Sequence, residues 1–163
     1  MEFAEFLERF IHDGTMVTFL VAMTPVLELR GAIPVGVALG LTPVQALAVS
    51  IVGNLVPVPF IVLFIRRIFA WMKQRLPRLR GFVERMERKA EAKRALIDKW
   101  KVLGLFILVA IPLPGTGAWT GALVAALLDI RLKRSFPAIA AGVAVAGVIV
   151  TLLTAGVTGV FAG

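Results

Sequence analysis

The stretch Ile111-Pro-Leu-Pro-Gly-Thr-Gly-Ala-Trp-Thr-Gly121 lies at the centre of an apolar block, residues 102–128, and decides the fold. It combines two prolines with three glycines, and the block contains no charged residue. Proline removes a backbone donor and clashes with the preceding helical turn, and glycine is a poor helix former. We therefore predict that residues 102–128 form a helical hairpin instead of one straight helix.

The rest of the chain is also strongly apolar. Hydrophobic residues make up 59% of the 163 positions and the mean hydropathy is +0.91, whereas an average soluble domain is about 45–50% apolar. The composition therefore predicts an all-α integral membrane protein. Four apolar blocks are each long enough to cross the hydrocarbon core, at 16–39, 43–65, 102–128 and 136–163.

The basic residues indicate how the chain is threaded through the membrane. Of the 18 Lys and Arg residues, 13 lie in residues 66–101 and three more in residues 131–134. Basic loops stay on the cytoplasmic side. Four full crossings would put these two loops on opposite sides, whereas both are cytoplasmic if residues 102–128 enter and leave by the same face. The predicted location is the cytoplasmic (inner) membrane of a prokaryote, with loop 66–101 inside and the N-terminus outside.

The first apolar block carries a similar interruption, Thr24-Pro-Val-Leu-Glu-Leu-Arg-Gly-Ala-Ile-Pro34. A straight helix would place Glu28 and Arg30 near the bilayer centre, at a cost of about 2.5–3.5 kcal/mol each. Residues 16–40 are therefore predicted to form another re-entrant hairpin, which other parts of the protein must cover. In an alternative topology, residues 16–40 span the bilayer and the N-terminus is cytoplasmic.

The two halves of the chain match. Each has a hairpin followed by an apolar helix, and Thr42-Pro43 and Ser135-Phe-Pro137 are typical of the first turns of these helices. We predict an inverted-topology repeat of a re-entrant helical hairpin plus a transmembrane helix, which recurs in secondary transporters. The aligned pairs, 87 to 89 residues apart, are Pro25 with Pro112, Pro34 with Gly121 and Gly53 with Gly142.

The chain therefore divides into two membrane segments joined by a basic linker. The linker is predicted to be a cytoplasmic amphipathic helix that rests on anionic lipid headgroups. Glycines in the last helix favour close helix packing and a homodimer. The predicted segments are 1–69, with an N-terminal interfacial helix, hairpin 16–40 and transmembrane helix 43–66; 70–101, the linker; and 102–163, with hairpin 102–128 and transmembrane helix 136–159.

Hairpins that enter from opposite faces should bring their tips together near the midplane, and this is the predicted site. Glu28 is the acid expected within the membrane, where it could bind a cation or carry a coupled proton. Arg30 offers a planar fork of donors suited to phosphate or carboxylate. Alternatively, Glu28 and Arg30 neutralise each other and need no ligand. The predicted substrate- or ion-binding residues are Glu28, Arg30, Pro34, Asn54, Pro112, Pro114, Gly115, Thr116, Gly117, Trp119 and Thr120.

Several of these residues have a simpler interpretation. The glycine turn could bind an anion through its bare N–H groups, or it could serve only to let the chain turn. Asn54 could line the site or hydrogen-bond a neighbouring helix. Pro57 and Pro59 open the backbone of their helix, either as a kink that packs neighbours or as a hinge for alternating access.

Several classes of activity are not expected. The chain has no cysteine and a single histidine, His12, so no metal site is predicted. It contains no Walker A sequence, so an ATP-driven pump would need a separate subunit. No cofactor and no enzymatic activity are predicted. The net charge of +8 reflects basic residues beside apolar blocks, and nucleic acid is not a predicted partner.

Two motifs, Glu28-Leu-Arg-Gly-Ala-Ile-Pro34 and Pro112-Leu-Pro-Gly-Thr-Gly-Ala-Trp-Thr-Gly121, resemble the paired signatures of the small multidrug export proteins. The resemblance covers about residues 17–157 and implies transport. That family is distantly similar to the DedA superfamily, which implies two facing re-entrant hairpins and a part in proton-dependent drug resistance or movement of lipid carriers. DedA proteins carry further arginines in the second hairpin, whereas residues 102–128 contain none. A DedA-like phosphate site would therefore carry over only to Arg30.

Three functions are left open at this point. The first is proton-coupled export of amphipathic or cationic small molecules, with Glu28 as the coupling acid and Arg30 as its partner or as an anion ligand. The second is a lipid or lipid-phosphate flippase or scramblase, in which Arg30 and the glycine turn hold the headgroup. The third is a non-transporting membrane adaptor whose basic helix recruits partners or senses anionic lipid.

Overall fold

A computed structural model of the protein describes residues 13–94, 100 and 102–161. Its regular elements are helices, and no strand occurs among the described residues. The predicted interfacial helix at the N-terminus lies outside them, as does part of the predicted linker helix.

The first apolar block forms two short helices. Helix α1 (Gly14–Met23) begins at Asp13, whose side chain accepts a hydrogen bond from the backbone N–H of Thr15 at 3.0 Å. The helix ends at Thr24, and α2 (Glu28–Ala38) starts after a four-residue break. Pro25 has no backbone N–H to donate to the carbonyl oxygen of Val21, which instead accepts from the N–H of Thr24. The predicted interruption of this block is confirmed.

The second block forms a long helix with one local interruption. Helix α3 (Pro43–Leu55) starts with a capping box between Thr42 and Gln45, which confirms the predicted start. Val56 separates it from α4 (Pro57–Arg75) but keeps helical dihedral angles. The helix therefore extends nine residues beyond residue 66, where the predicted transmembrane helix ended.

The basic linker begins at a proline. A 3₁₀ turn, Pro77–Leu79, separates α4 from α5 (Arg80–Ala92). Lys73 Nζ donates to Glu87 Oε2 at 2.5 Å, which links the end of α4 to α5. Val83 and Ala90 are buried, so one face of this amphipathic helix packs against the protein.

The third block is also two short helices. Helix α6 (Val102–Ala110) and α7 (Ala118–Leu127) are separated by residues 111–117. The prolines and glycines predict a break in this segment.

The start predicted for the last helix was wrong. Helix α8 (Leu132–Phe161) begins four residues before Phe136, so Pro137 lies inside it and Ser135 is buried without a capping bond. Backbone bonds to the carbonyl of Arg131 already start the helix at that point.

The protein divides into two compact units, and the boundaries lie within the long helices. One unit comprises the described residues up to Val56 together with α8 from Val143 onward. In this unit α1, α2 and α3 pack on one another. The other unit comprises Pro57–Gly142, and in it α7 packs on α4, α5 and α6.

A close glycine contact recurs in both units. A Cβ atom built on Gly53 would lie 2.6 Å from the backbone oxygen of Phe19. A Cβ built on Gly142 would lie 3.0 Å from the backbone oxygen of Phe106. The residues correspond in the aligned halves, 87 positions apart for the phenylalanines and 89 for the glycines. Each helix that follows a hairpin therefore packs through a glycine onto the hairpin's first helix.

The lengths and surfaces of the helices fit a membrane. Two helices of the described chain, Pro43–Arg75 and Leu132–Gly159, are long and apolar enough to cross one, yet their most apolar windows are only 28% and 39% buried. A core helix of a soluble protein would be mostly covered. The four hairpin helices have nine to eleven residues each, or about 14–17 Å, which is half of a hydrocarbon core of about 30 Å.

Candidate functional site

Glu28 is the buried acid of the first hairpin. It is the first residue of α2, directly after the break, and is 5% exposed. Its φ of +49° lies in the left-handed region, which non-glycine residues adopt at a cost of about 1–2 kcal/mol. Backbone strain of this kind is concentrated at functional sites. The break therefore turns the carboxyl group of Glu28 into the interior of its unit.

Asn54 and Glu28 lie at the same level along the packed helices α2 and α3. The short connection between α2 and α3 makes these two packed helices antiparallel, and a Cβ built on Gly36 would lie 3.0 Å from the Cβ of Ala46. Glu28 is eight residues before Gly36, and Asn54 is eight residues after Ala46. Both are therefore displaced by about 12 Å in the same direction from this contact. Asn54 is fully buried, as Glu28 nearly is.

Ser50 lies one helical turn before Asn54 and is also fully buried. Among the described residues, neither the Ser50 hydroxyl nor either polar atom of the Asn54 amide has a hydrogen-bond partner. Buried polar groups are nearly always paired, because an unpaired one costs about 1–3 kcal/mol. The interior of this unit therefore contains hydrogen-bonding capacity that its own side chains leave unused.

Arg30 and Pro34 lie further along α2. Arg30 is half-buried, two residues after Glu28, so its side chain leaves the helix in a different direction. Pro34 is exposed and lines a groove of about 450 Å³ between α2 and the end of α8. Leu153 and Val157 form much of the opposite wall. The same helix thus carries a buried acid near its start and an apolar groove near its end.

The turn of the second hairpin is held by its own side chain. The Thr116 hydroxyl contacts the backbone oxygens of Ile111 and Leu113, at 2.7 Å each, and accepts from the Leu113 N–H at 3.2 Å. Gly115 and Gly117 adopt φ angles of +79° and +135°, which side-chain-bearing residues rarely do. These angles show that the two glycines take part in the turn, and binding of an anion by the turn stays a prediction.

A cavity of about 410 Å³ adjoins this turn. Pro114, Gly115 and Thr120 of the predicted site line one wall. Lys89 of α5 and Lys93, the residue directly after this helix, line the other. The glycine turn and two cations of the linker therefore face the same space, although Pro112, Thr116, Gly117 and Trp119 do not line it.

The predicted site residues divide between the two units. Glu28, Arg30, Pro34 and Asn54 belong to the first, and the residues from Pro112 to Thr120 belong to the second. The predicted meeting of the hairpin tips therefore stays a prediction.

Sequence reasoning missed two features. Ser50 had a detectable signal, because it precedes Asn54 by one helical turn in an apolar block; the two cavity lysines had none, because the linker is basic throughout.

One family model matches residues 28–149, three quarters of the chain. Its description reads "Putative small multi-drug export protein". The match covers both motifs, from Glu28 through the glycine turn, and the first three-fifths of α8. No curated protein and no solved structure matches the chain.

Proposed function

The chain belongs to this family of small multi-drug export proteins, and we propose that it is a small secondary transporter that exports amphipathic or cationic compounds with Glu28 as the coupling acid. The membrane location and a role in transport follow from the family and from the two long apolar helices. Proton coupling, the substrate class and the inner membrane of a prokaryote are our proposals.

The observation that carries the proposal is the position of Glu28, buried at the break between two half-length helices. Helices of about 15 Å that are joined by a break suit a hairpin which enters the membrane and returns by the same face. An ionisable group inside a membrane segment is costly, so its presence there points to a function. We propose that the second hairpin enters from the opposite face, so that the halves form the inverted repeat found in secondary transporters.

The apolar groove beside Pro34 supports an amphipathic substrate. Its lining is mainly aliphatic, and the Thr154 hydroxyl is bonded to the backbone oxygen of Val150 at 2.9 Å. The groove therefore offers apolar contact and few free polar groups. An amphipathic cation would place its apolar part there and its charge towards the carboxyl group of Glu28.

Flux in proteoliposomes tests this function. We expect wild-type protein to move a cationic dye when a proton gradient is imposed, and expect Glu28→Gln to reduce dye flux to the rate of protein-free vesicles. Glu84→Gln is a matched control, because Glu84 lies outside the membrane segments in an exposed pair with Arg80. Dye flux that needs no gradient, or that survives Glu28→Gln, would contradict the proposal.

A lipid headgroup is the second candidate ligand, and the cavity beside the glycine turn favours it. Lys89, Lys93 and the backbone of Gly115 would together suit a phosphate group. In this alternative the protein is a flippase or scramblase that needs no proton gradient. Movement of a labelled phospholipid that is lost in the double variant Lys89→Gln/Lys93→Gln, but kept in Lys133→Gln, would favour it over export.

A further inference from the structure

Ser50 and Asn54 are polar where the fold does not require polarity. The 89-residue offset that relates Gly53 to Gly142 pairs Ser50 with Ile139 and Asn54 with Val143. Both of these counterparts are fully buried and apolar. The same positions are therefore filled by hydrocarbon in the other half of the chain, and the packing of a helix onto its hairpin does not account for the serine and the amide.

The backbone adds oxygen atoms at the same place. Pro57 has no N–H, so the carbonyl oxygen of Gly53 lacks the donor that an uninterrupted helix supplies four residues later. Gly53 is adjacent to Asn54, at the height of Glu28. Side-chain oxygens of Ser50 and Asn54, the carboxyl group of Glu28 and this carbonyl thus lie in one region of the first unit.

We propose that these groups form a binding site for a sodium ion, in competition with the proton on Glu28. Oxygen ligands suit small hard cations, and carbonyls at helix interruptions coordinate Na⁺ in transporters built from broken helices. Glu28 is the one acid in residues 16–65, and Arg30 already interacts with it electrostatically, so a divalent ion would leave more excess charge in the membrane than a monovalent ion. A proton on Glu28 alone would leave the oxygens of Ser50 and Asn54 without a role. The inference rests on the proposed function, because it adds a second ion that competes with the proton for the proposed coupling acid.

Thermal unfolding of the purified protein in detergent tests the site. Tryptophan fluorescence reports unfolding at fixed pH while NaCl replaces choline chloride at constant ionic strength. In a parallel series, KCl replaces choline chloride in the same way. For wild type, the melting temperature should rise with Na⁺ concentration, because a ligand that binds only the folded state stabilises it. Retention of ²²Na⁺ by the protein measures the same affinity directly.

Two variants and one matched control make the test specific. Asn54→Val installs the residue found at the equivalent position and should weaken Na⁺ binding by about tenfold or more, an effect comparable to the loss of a supporting group at other metal sites. Ser50→Ala should weaken it less. Ser135→Ala is the control, because Ser135 is also fully buried without a described partner but lies in the other unit; its response to Na⁺ should equal that of wild type.

The melting temperature in choline separates a binding role from a structural one. Asn54→Val removes an unpartnered amide, so the variant should be as stable as wild type or more stable without Na⁺. Equal loss of stability in choline and in Na⁺ would overturn the proposal, as would an Na⁺ effect that persists in Asn54→Val or that KCl reproduces fully.

Failure of the ion site and failure of the proposed function are distinguishable. Proton-driven dye flux without any effect of Na⁺ on melting would refute the ion site and leave the exporter standing. A Na⁺ effect that is lost in Asn54→Val, in a protein that moves no dye, would support the ion site and refute the exporter.

Discussion

Replacement of Gly53 by alanine should destabilise the protein through one defined collision. The new Cβ would lie 2.6 Å from the Phe19 backbone oxygen and 3.0 Å from the Ala22 Cβ, whereas ordinary contacts begin at 3.4 Å. Helices α1 and α3 would have to separate by roughly 0.8 Å, and overpacking of this kind costs about 1–3 kcal/mol. The better helix propensity of alanine offsets up to about 1 kcal/mol. We expect a net loss of about 1–2 kcal/mol in the free energy of unfolding.

Unfolding in mixed micelles, as the fraction of denaturing detergent is raised, measures this change. Gly142→Ala should lose a similar amount, because its Cβ would lie 2.7 Å from the Val109 Cβ. Gly156→Ala is the control: no atom of the described chain lies within 4 Å of its Cβ position, so its stability should stay equal or rise. If Gly53→Ala were as stable as Gly156→Ala, the close contact between α1 and α3 would be refuted.

Three further predictions concern caps, turns and threading. Thr42→Ala removes the side chain that caps α3 and should cost about 1 kcal/mol in the same unfolding assay, whereas Ser135→Ala, at a position with no capping bond, should cost little. Gly115→Ala should cost about 1–2 kcal/mol through its φ of +79° alone, since no described atom crowds the position, and Gly115→Asn should recover part of the loss. Single cysteines at Gln45 and Arg134 should react with an impermeant reagent from outside and inside respectively; labelling of both from one side would refute the re-entrant topology.

The breaks in the two hairpins were predictable because proline and glycine act locally. Pro25 and the run from Pro112 to Gly121 remove backbone donors or favour left-handed angles, whatever surrounds them. The start of α3 was equally local, since Thr42 and Gln45 cap each other across three residues. The start of α8 was not, because Ser135-Phe-Pro137 is typical of a first turn, whereas Pro137 lies inside the helix, where its missing N–H removes one backbone hydrogen bond.

The surroundings of the candidate residues were harder to predict than the breaks in the helices. Glu28 stands out in an apolar block, because a charge there is costly wherever it points. Ser50 and the cavity lysines are distinguished only by what lies opposite them. What they face depends on the register of α3 against α2, and of α5 against the glycine turn, which arise from packing between segments distant in sequence. No single stretch of residues encodes those registers.

The division of both long helices between two units bears on how the chain folds. Each unit contains one hairpin, the first part of the long helix that follows it and the last part of the other long helix. Neither half of the sequence therefore contains a complete unit, so we expect that a fragment ending in the basic linker would not fold by itself.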